Sequence, residues 1–257
     1  MVLQIATLSK DKPEFFELLE RAYHDIYVPA FPIESERESL DKFFQAINGE
    51  LPGIGIAVNI LGENLEDPER RVIKGISVAY YYEHQNTGLL AYNAIDPKHR
   101  DKGMGKLMVD SRIESLKAMA AAKGRKLDGV FIEVNDPTKV AANDDSMDPT
   151  KRISIFEDWG ARRIPIDYVQ PPLSPEGDYN DTMLLMNYPL DGRYCDKDCV
   201  EKFLRGIYRE FRSEKSPDDD YFFKKMQKQL RASGMVECEK NPAPGYKIGV
   251  PGFRFVG

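Results

Sequence analysis

Apolar residues in this chain recur at every second position in some stretches and at every third or fourth in others, and the change between the two spacings outlines the elements. Residues 3–8 (LQIATL) read as a short strand. Helical spacing follows at Phe15, Leu18, Leu19, Ala22 and Tyr23, opened by Lys12 and Pro13. Two prolines and several rings within residues 27–33 break that helix, and the spacing resumes over 39–47 at Leu40, Phe43, Phe44 and Ile47. Residues 53–61, 72–82 and 89–95 are β-branched and aromatic runs with polar or glycine-bearing connections, which predicts an antiparallel meander of three strands. Over 103–124 the period turns helical, with Val109, Ile113, Leu116 and Ala120 in one apolar stripe and Gly124 as the stop. A strand over 130–135, a short helix over 151–159 and a final antiparallel pair at 164–169 and 183–187, joined by QPPLSPEGDYN, complete the order β-α-α-β-β-β-α-β-α-β-β.

Beyond Pro189 the pattern predicts two amphipathic helices. One carries Val200, Phe203, Leu204, Ile207 and Phe211, the other Phe222, Phe223, Met226 and Leu230, with SEKSPDDD as the linker. Their apolar faces need cover, either from the sheet of the same chain or from a second subunit, as in a homodimer.

The length of 257 residues allows one large domain or one domain with an appendage, and 42% hydrophobic against 30% charged residues suits a chain with a buried core and a solvated surface. No apolar run approaches the roughly 20 residues of a membrane helix. The start, MVLQIATLSK, has no basic segment leading into a long apolar one, so the expected location is cytoplasmic, with no membrane partner. With 36 basic against 42 acidic residues the net charge is -6, which argues against nucleic acid as a partner. Cys195, Cys199 and Cys238 read as thiols. The first two are four apart near a helix start, but no His is near them and no second pair follows, so no metal is expected there.

The most informative stretch is AYNAIDPKHRDKGMGKLM, in which a strand passes through Arg100, Asp101, Lys102, Gly103, Met104 and Gly105 straight into a helix. A loop that opens a helix presents unpaired N–H groups and the positive end of the helix dipole, a setting for phosphate oxygens, and Arg100, Lys102 and Lys106 add positive charge. Two other phosphate motifs fail. A P-loop would need Gly in place of Arg100 and Ser or Thr in place of Leu107; a dinucleotide fingerprint would need Gly or Ala in place of Met108 and a parallel strand context.

Arg100-x-x-Gly103-x-Gly105 after a strand ending in AIDP resembles the acyl-CoA-binding loop of the GNAT N-acetyltransferase superfamily, and the element order over about residues 3–190 resembles its topology. The resemblance implies an α/β fold with a mixed, mostly antiparallel central sheet flanked by helices. Residues 1–190 would form the acetyltransferase domain, and 191–257 a C-terminal helical extension packed on it or on a partner subunit. It implies acetyl-CoA as co-substrate, with its pantetheine arm between the fourth and fifth strands. Asn93, Ala94 and Ile95 would pair with pantetheine amides, and the backbone N–H groups from Lys102 through Gly103, Met104 and Gly105 to Lys106, with Arg100 beside them, would hold the phosphates.

The chain departs from the family at two positions. Phe156 stands where many members have a tyrosine acid in the helix before Trp159-Gly160, and Leu89 where some protein-acetylating members have a glutamate base. Strand alternation supplies another base: Phe131, Glu133 and Asn135 share one face, and a glutamate inside an otherwise apolar strand needs a reason. Its candidate roles are deprotonation or binding of an amine, or a structural pair with Arg152 or Arg162. Tyr92 is the candidate proton donor to the departing thiolate, unless it only packs, with Tyr168 as its alternative. By resemblance the ring-rich loop with Tyr27, Phe31, Glu34 and Arg37 would roof the acceptor pocket. Asn143, Asp144, Asp145 and Asp148 lack the turn glycine and distal glutamate of a calcium loop and read as a solvated lid. The expected function is acetyl transfer to a small-molecule primary amine in a ternary complex, without a metal. The alternatives are another acyl-CoA, a protein amine, or a catalytically silent acyl-CoA sensor.

Overall fold

The computed structural model describes residues 2–34, 37–100, 103–141, 147–173, 177–211, 216–234 and 253–256. They fall into two compact units, one formed by Met1–Tyr81, Leu90–Arg125 and Gly245–Gly257, the other by Tyr82–Leu89 and Lys126–Pro244. No helix among the described residues is long and apolar enough to cross a membrane.

The first unit holds β1 (Leu3–Thr7), α1 (Phe16–Ala22), α2 (Val28–Ala30), α3 (Leu40–Ile47), β2 (Ile54–Glu63), β3 (Val72–Tyr82, up to Tyr81), the later part of β4 (Thr87–Ile95) and α4 (Met104–Ala122). Its strands run in the order β4-β3-β2-β1, extended by a further strand at Phe253–Val256. β1 and β2 are antiparallel, with Leu3 opposite Glu63 and Thr7 opposite Asn59. Neighbouring residues of a strand face opposite ways, and the packing follows this rule. Ala6, Val58, Ile60, Ile76 and Val78 join the rings of α1 and α3, whereas Ile5 and Leu61 pack with Met104, Leu107 and Met108 of α4. The unit's strands therefore carry α1 and α3 on one face and α4 on the other.

The first helix does not break at Tyr27 as the prolines suggested. It passes through a π-turn over Tyr23–Tyr27, closed by the Val28 N–H on the Tyr23 carbonyl, and runs on to Ala30. Pro29 directly follows the π-turn, and the helix continues past it although it donates no N–H. The strand at Phe253–Val256, parallel to β1, was not expected in a tail read as helical.

The second unit holds the start of β4, β5 (Gly129–Asn135), α5 (Pro149–Asp158), β6 (Arg162–Arg163), β7 (Met183–Tyr188), α6 (Lys197–Phe211) and α7 (Tyr221–Ala232). Thr87–Leu89 pair in parallel with Gly129–Phe131, and β5 runs antiparallel to β7 along its length from Val130 opposite Tyr188 to Asn135 opposite Met183. The strand expected over 164–169 does not form; the two-residue β6 lies just before it, and Pro165 has no N–H with which to carry its ladder on. Asp148, read with the acidic insertion, caps α5: its Oδ1 accepts the N–H groups of Thr150 and Lys151 at 2.8 and 3.3 Å. Asn143, Asp144 and Asp145 lie outside the described residues.

The apolar face of α6 is covered by the same chain. Phe203 stacks on Phe131 of β5 at 4.1 Å between ring centroids, and Tyr82 meets it edge-on at 6.0 Å. Cys195 and Cys199 are buried free thiols whose sulfurs lie 2.7 Å apart. Both sit over Gly129, where a Cβ would collide with them; Cys238 lies outside the described residues. Phe203→Ala should cost the second unit about 3–5 kcal/mol by losing the stacked contact and leaving a cavity, to be read as a fall in the denaturation midpoint of the full chain.

Candidate active site

β4 delivers the chain into α4 through a 3₁₀ turn at Pro97–His99, which Asp96 opens by accepting the Lys98 N–H at 2.9 Å. Gly103 then takes φ +72°, a left-handed conformation that favours glycine, and no side chain among the described residues caps the helix. The first helical bond runs from the Leu107 N–H to the Gly103 carbonyl at 3.2 Å, so the N–H groups before Leu107 fall outside the helix's own ladder. A Cβ on Gly103 would meet nothing within 4 Å. The first N–H groups of a 19-residue helix, at the positive end of its dipole, suit an anion.

The side chains expected at the loop divide. Arg100 is exposed and spends Nε on the Ile95 carbonyl at 3.2 Å, leaving its terminal nitrogens without a partner among the described residues. Lys106 forms an ion pair with Asp110 one turn later, so its ammonium is partly neutralised. Met104 is buried among Leu107 and Met108 and anchors the first turn. Lys102 lies outside the described residues. On β4, Ala94 is buried, and the Asn93 Nδ2 donates to the Gly105 carbonyl at 3.3 Å while its Oδ1 is buried without a partner. Such an orphaned acceptor suits a ligand that brings an N–H.

The ring-rich loop and Tyr92 come together. Tyr92 lies 5.1 Å from Tyr27, 5.1 Å from Phe31 and 6.4 Å from Phe43, centroid to centroid. Tyr27 is fully buried, and its Oη accepts the Glu38 N–H at 2.9 Å. Burial pushes both phenols well above the ordinary phenol range, so both keep their protons at neutral pH. Arg37 is turned onto the Phe31 and Pro32 carbonyls at 3.2 Å each, which closes the loop, and Glu34 is exposed away from the rings.

In the second unit Glu133 is held on β5 by two donors. The Tyr168 hydroxyl and the Gln170 Nε2, the latter at 3.0 Å, both bond to Oε1, and Oε2 receives no hydrogen bond from the described residues. These partners replace the arginine pair considered from the sequence. Burial pushes the Glu133 carboxyl above its ordinary value, and the two hydrogen bonds oppose that shift. The result is a carboxylate with one oxygen fixed and the other unengaged. Phe156 meets Trp159 edge-on at 5.6 Å and offers no proton.

No family model matches the sequence, and no curated protein matches it. Solved structures do. A protein of Bacteroides thetaiotaomicron described as an acetyltransferase from the GNAT family superposes with a TM-score of 0.53 at 18% identity, covering 80% of this chain and 95% of that one. The chain has the GNAT fold. More distant superpositions include a GNAT family acetyltransferase of Elizabethkingia anophelis with acetyl-CoA bound (TM-score 0.44, 15% identity, 73% of this chain and 98% of that one). Another is a Bacillus subtilis acetyltransferase in complex with CoA (TM-score 0.44, 16% identity, 73% and 99%).

Two residues of this GNAT fold escaped the sequence reading. Gln170 gave no signal, since it meets Glu133 across 37 residues of chain. Arg112 stands on α4 with 1% exposure, and its NH1 donates to the carbonyls of Val78 at 3.2 Å and Tyr92 at 2.9 Å. It ties the middle of α4 to β3 and β4 beside Asn93. An arginine next to an apolar stripe reads as a solvated flank, and only the packing shows it to be inside.

Proposed function

We propose that this chain is an acetyl-CoA-dependent N-acetyltransferase that acts on a small-molecule primary amine by direct transfer in a ternary complex. One observation carries the reading: in a GNAT fold, β4 leads into the glycine-opened N-terminus of α4, where the first N–H groups stand at the positive end of the helix dipole. Those donors and the Arg100 guanidinium would hold the phosphates. Asn93, Ala94 and Ile95 would receive the pantetheine arm, with the orphaned Asn93 Oδ1 as an added acceptor. When bound, acetyl-CoA supplies an activated acetyl thioester.

An ammonium has no lone pair, and with a pKa near 10 roughly one amine in a thousand is neutral at pH 7. The proposed base is Glu133, whose unengaged Oε2 takes the proton while Tyr168 and Gln170 hold Oε1. Its upward shift makes it a better proton acceptor than an ordinary carboxylate. Tyr92 holds its proton too tightly to surrender it fully to a thiolate, so its role is to donate a hydrogen bond to the departing sulfur. Phe31 and Tyr27 form the apolar part of the acceptor pocket, and Arg37 and Glu34 shape its rim.

Phe156 favours a second reading, a catalytically silent acyl-CoA sensor, because it supplies no acid where many members have one. Calorimetric titration with acetyl-CoA, with NADH and ATP as controls, followed by thiol-release assays over a panel of amines, decides between them. Micromolar binding of acetyl-CoA alone and thiol release with a small primary amine are expected. No binding would overturn the whole reading, and binding without release over the panel would favour the sensor.

A further inference from the structure

The two donors that fix Glu133 come from a short strap, residues 167–170, whose own supports lie in the C-terminal helices. Tyr168 and Gln170 send their side chains to Oε1 of Glu133. The main chain between and before them is bound by α6 and α7. The Tyr208 hydroxyl donates to the Val169 carbonyl at 2.8 Å, and the Val169 N–H donates to the Met226 sulfur at 3.4 Å. The Asp167 N–H donates to Gln229 Oε1 at 3.0 Å, while Gln229 Nε2 and Lys225 Nζ return to the Asp167 carboxylate at 2.7 and 3.1 Å. Even-numbered side chains serve Glu133, and odd-numbered residues serve the helices.

We propose that α6 and α7 belong to the acid–base site, with Tyr208 and Gln229 acting through the strap as positioning residues for Glu133. The proposal rests on the reading of Glu133 as the base. Its physical basis is that two charge-assisted donors must stay within hydrogen-bond reach of one oxygen to favour the ionised form and to aim the other oxygen. A strap with little regular structure holds such a geometry only if its backbone is tied down from behind. Tyr208 is fully buried and Tyr168 is 2% exposed, so that arm of the contacts is enclosed, whereas the arm through Asp167 and Gln229 lies at the surface. The titratable group touching Glu133 is Tyr168, with Tyr82 and Tyr208 behind it; across β7 the register partner of Glu133 is Leu185.

The test follows the Glu133 carboxyl directly, by ¹³C-detected NMR titration of the full chain labelled at glutamate and assigned with Glu133→Gln. In parallel, kcat and the KM for acetyl-CoA are measured against pH. Tyr168→Phe should raise the Glu133 midpoint by about one pH unit through loss of a donor to the charged form. Tyr208→Phe and Gln229→Ala should move it the same way by about half that, lowering kcat in acid, with recovery at higher pH and an unchanged KM. Tyr221→Ser, on the exposed side of α7, should leave the midpoint in place. A purely structural role would lower the melting temperature of the Tyr208 and Gln229 variants without moving the midpoint, and that result overturns the proposal. Full turnover by Glu133→Gln would instead remove the base reading, while the titration still decides whether the helices hold the strap.

Discussion

Gly103→Asp is expected to raise the Kd for acetyl-CoA at least about 100-fold, a loss of roughly 2.7 kcal/mol, while leaving the melting temperature within a few degrees. Two opposing effects keep the fold intact. The left-handed φ of +72° strains most side chains, but Asp is among the residues that tolerate it, and a Cβ there meets nothing within 4 Å. A carboxylate at the N-terminus of a 19-residue helix also gains about 0.3–1 kcal/mol from the dipole. The feature that stabilises the helix occupies the place of the phosphates and repels them. Gly103→Asn separates charge from shape, since it keeps the same outline and tolerance of positive φ without the negative charge, and should lose less than about tenfold. The difference between the two variants should shrink with added salt as repulsion is screened. Calorimetry on both variants checks this, and an Asp variant that binds as well as the parent chain would reduce the loop to a turn.

Glu133→Gln should lower kcat by about 10²- to 10⁴-fold with acetyl-CoA affinity unchanged. In the parent enzyme the base must be ionised, so activity falls as pH drops through a midpoint above the ordinary carboxylate range, in the direction set by burial. The Gln variant should lack that limb. Stability carries the opposite sign. A carboxyl whose folded pKa is raised binds its proton more tightly in the fold than in the unfolded chain. Its contribution is therefore present below the unfolded value and lost as pH rises through the folded one. Glutamine stays neutral throughout, so the melting temperatures of the two proteins should match in acid, and the variant should become the more stable at pH 8. A variant that keeps the parent kcat would remove Glu133 from the chemistry.

Both predictions begin from positions visible along the chain, and for the same reason. Gly103 follows a strand and precedes a helix, and Glu133 interrupts an apolar alternation, so each breaks a local pattern within a few residues of itself. The partners that give them meaning were not visible. Tyr168, a candidate proton donor in its own right, and Gln170 lie 35 and 37 residues from Glu133, and nothing along the chain joins either of them to it. Arg112 and the pairing of Lys106 with Asp110 likewise depend on which way α4 turns.

Periodicity and turn chemistry are local properties, so the sequence by itself determined the succession of strands and helices, the glycine-bearing helix start and the two amphipathic C-terminal helices. It failed where a local signal competed with a longer-range one: the helix ran on past Pro29, no strand formed over 164–169, and a strand closed a tail read as helical. Only the tertiary structure decided that Arg112 is buried beside the apolar stripe of α4, that Tyr92 sits among the rings of Tyr27 and Phe31, and that a strap braced by α6 and α7 holds Glu133. Hydrogen bonds and burial join residues through space, and the cost of closing such long loops is met by the whole fold rather than by any segment of the chain.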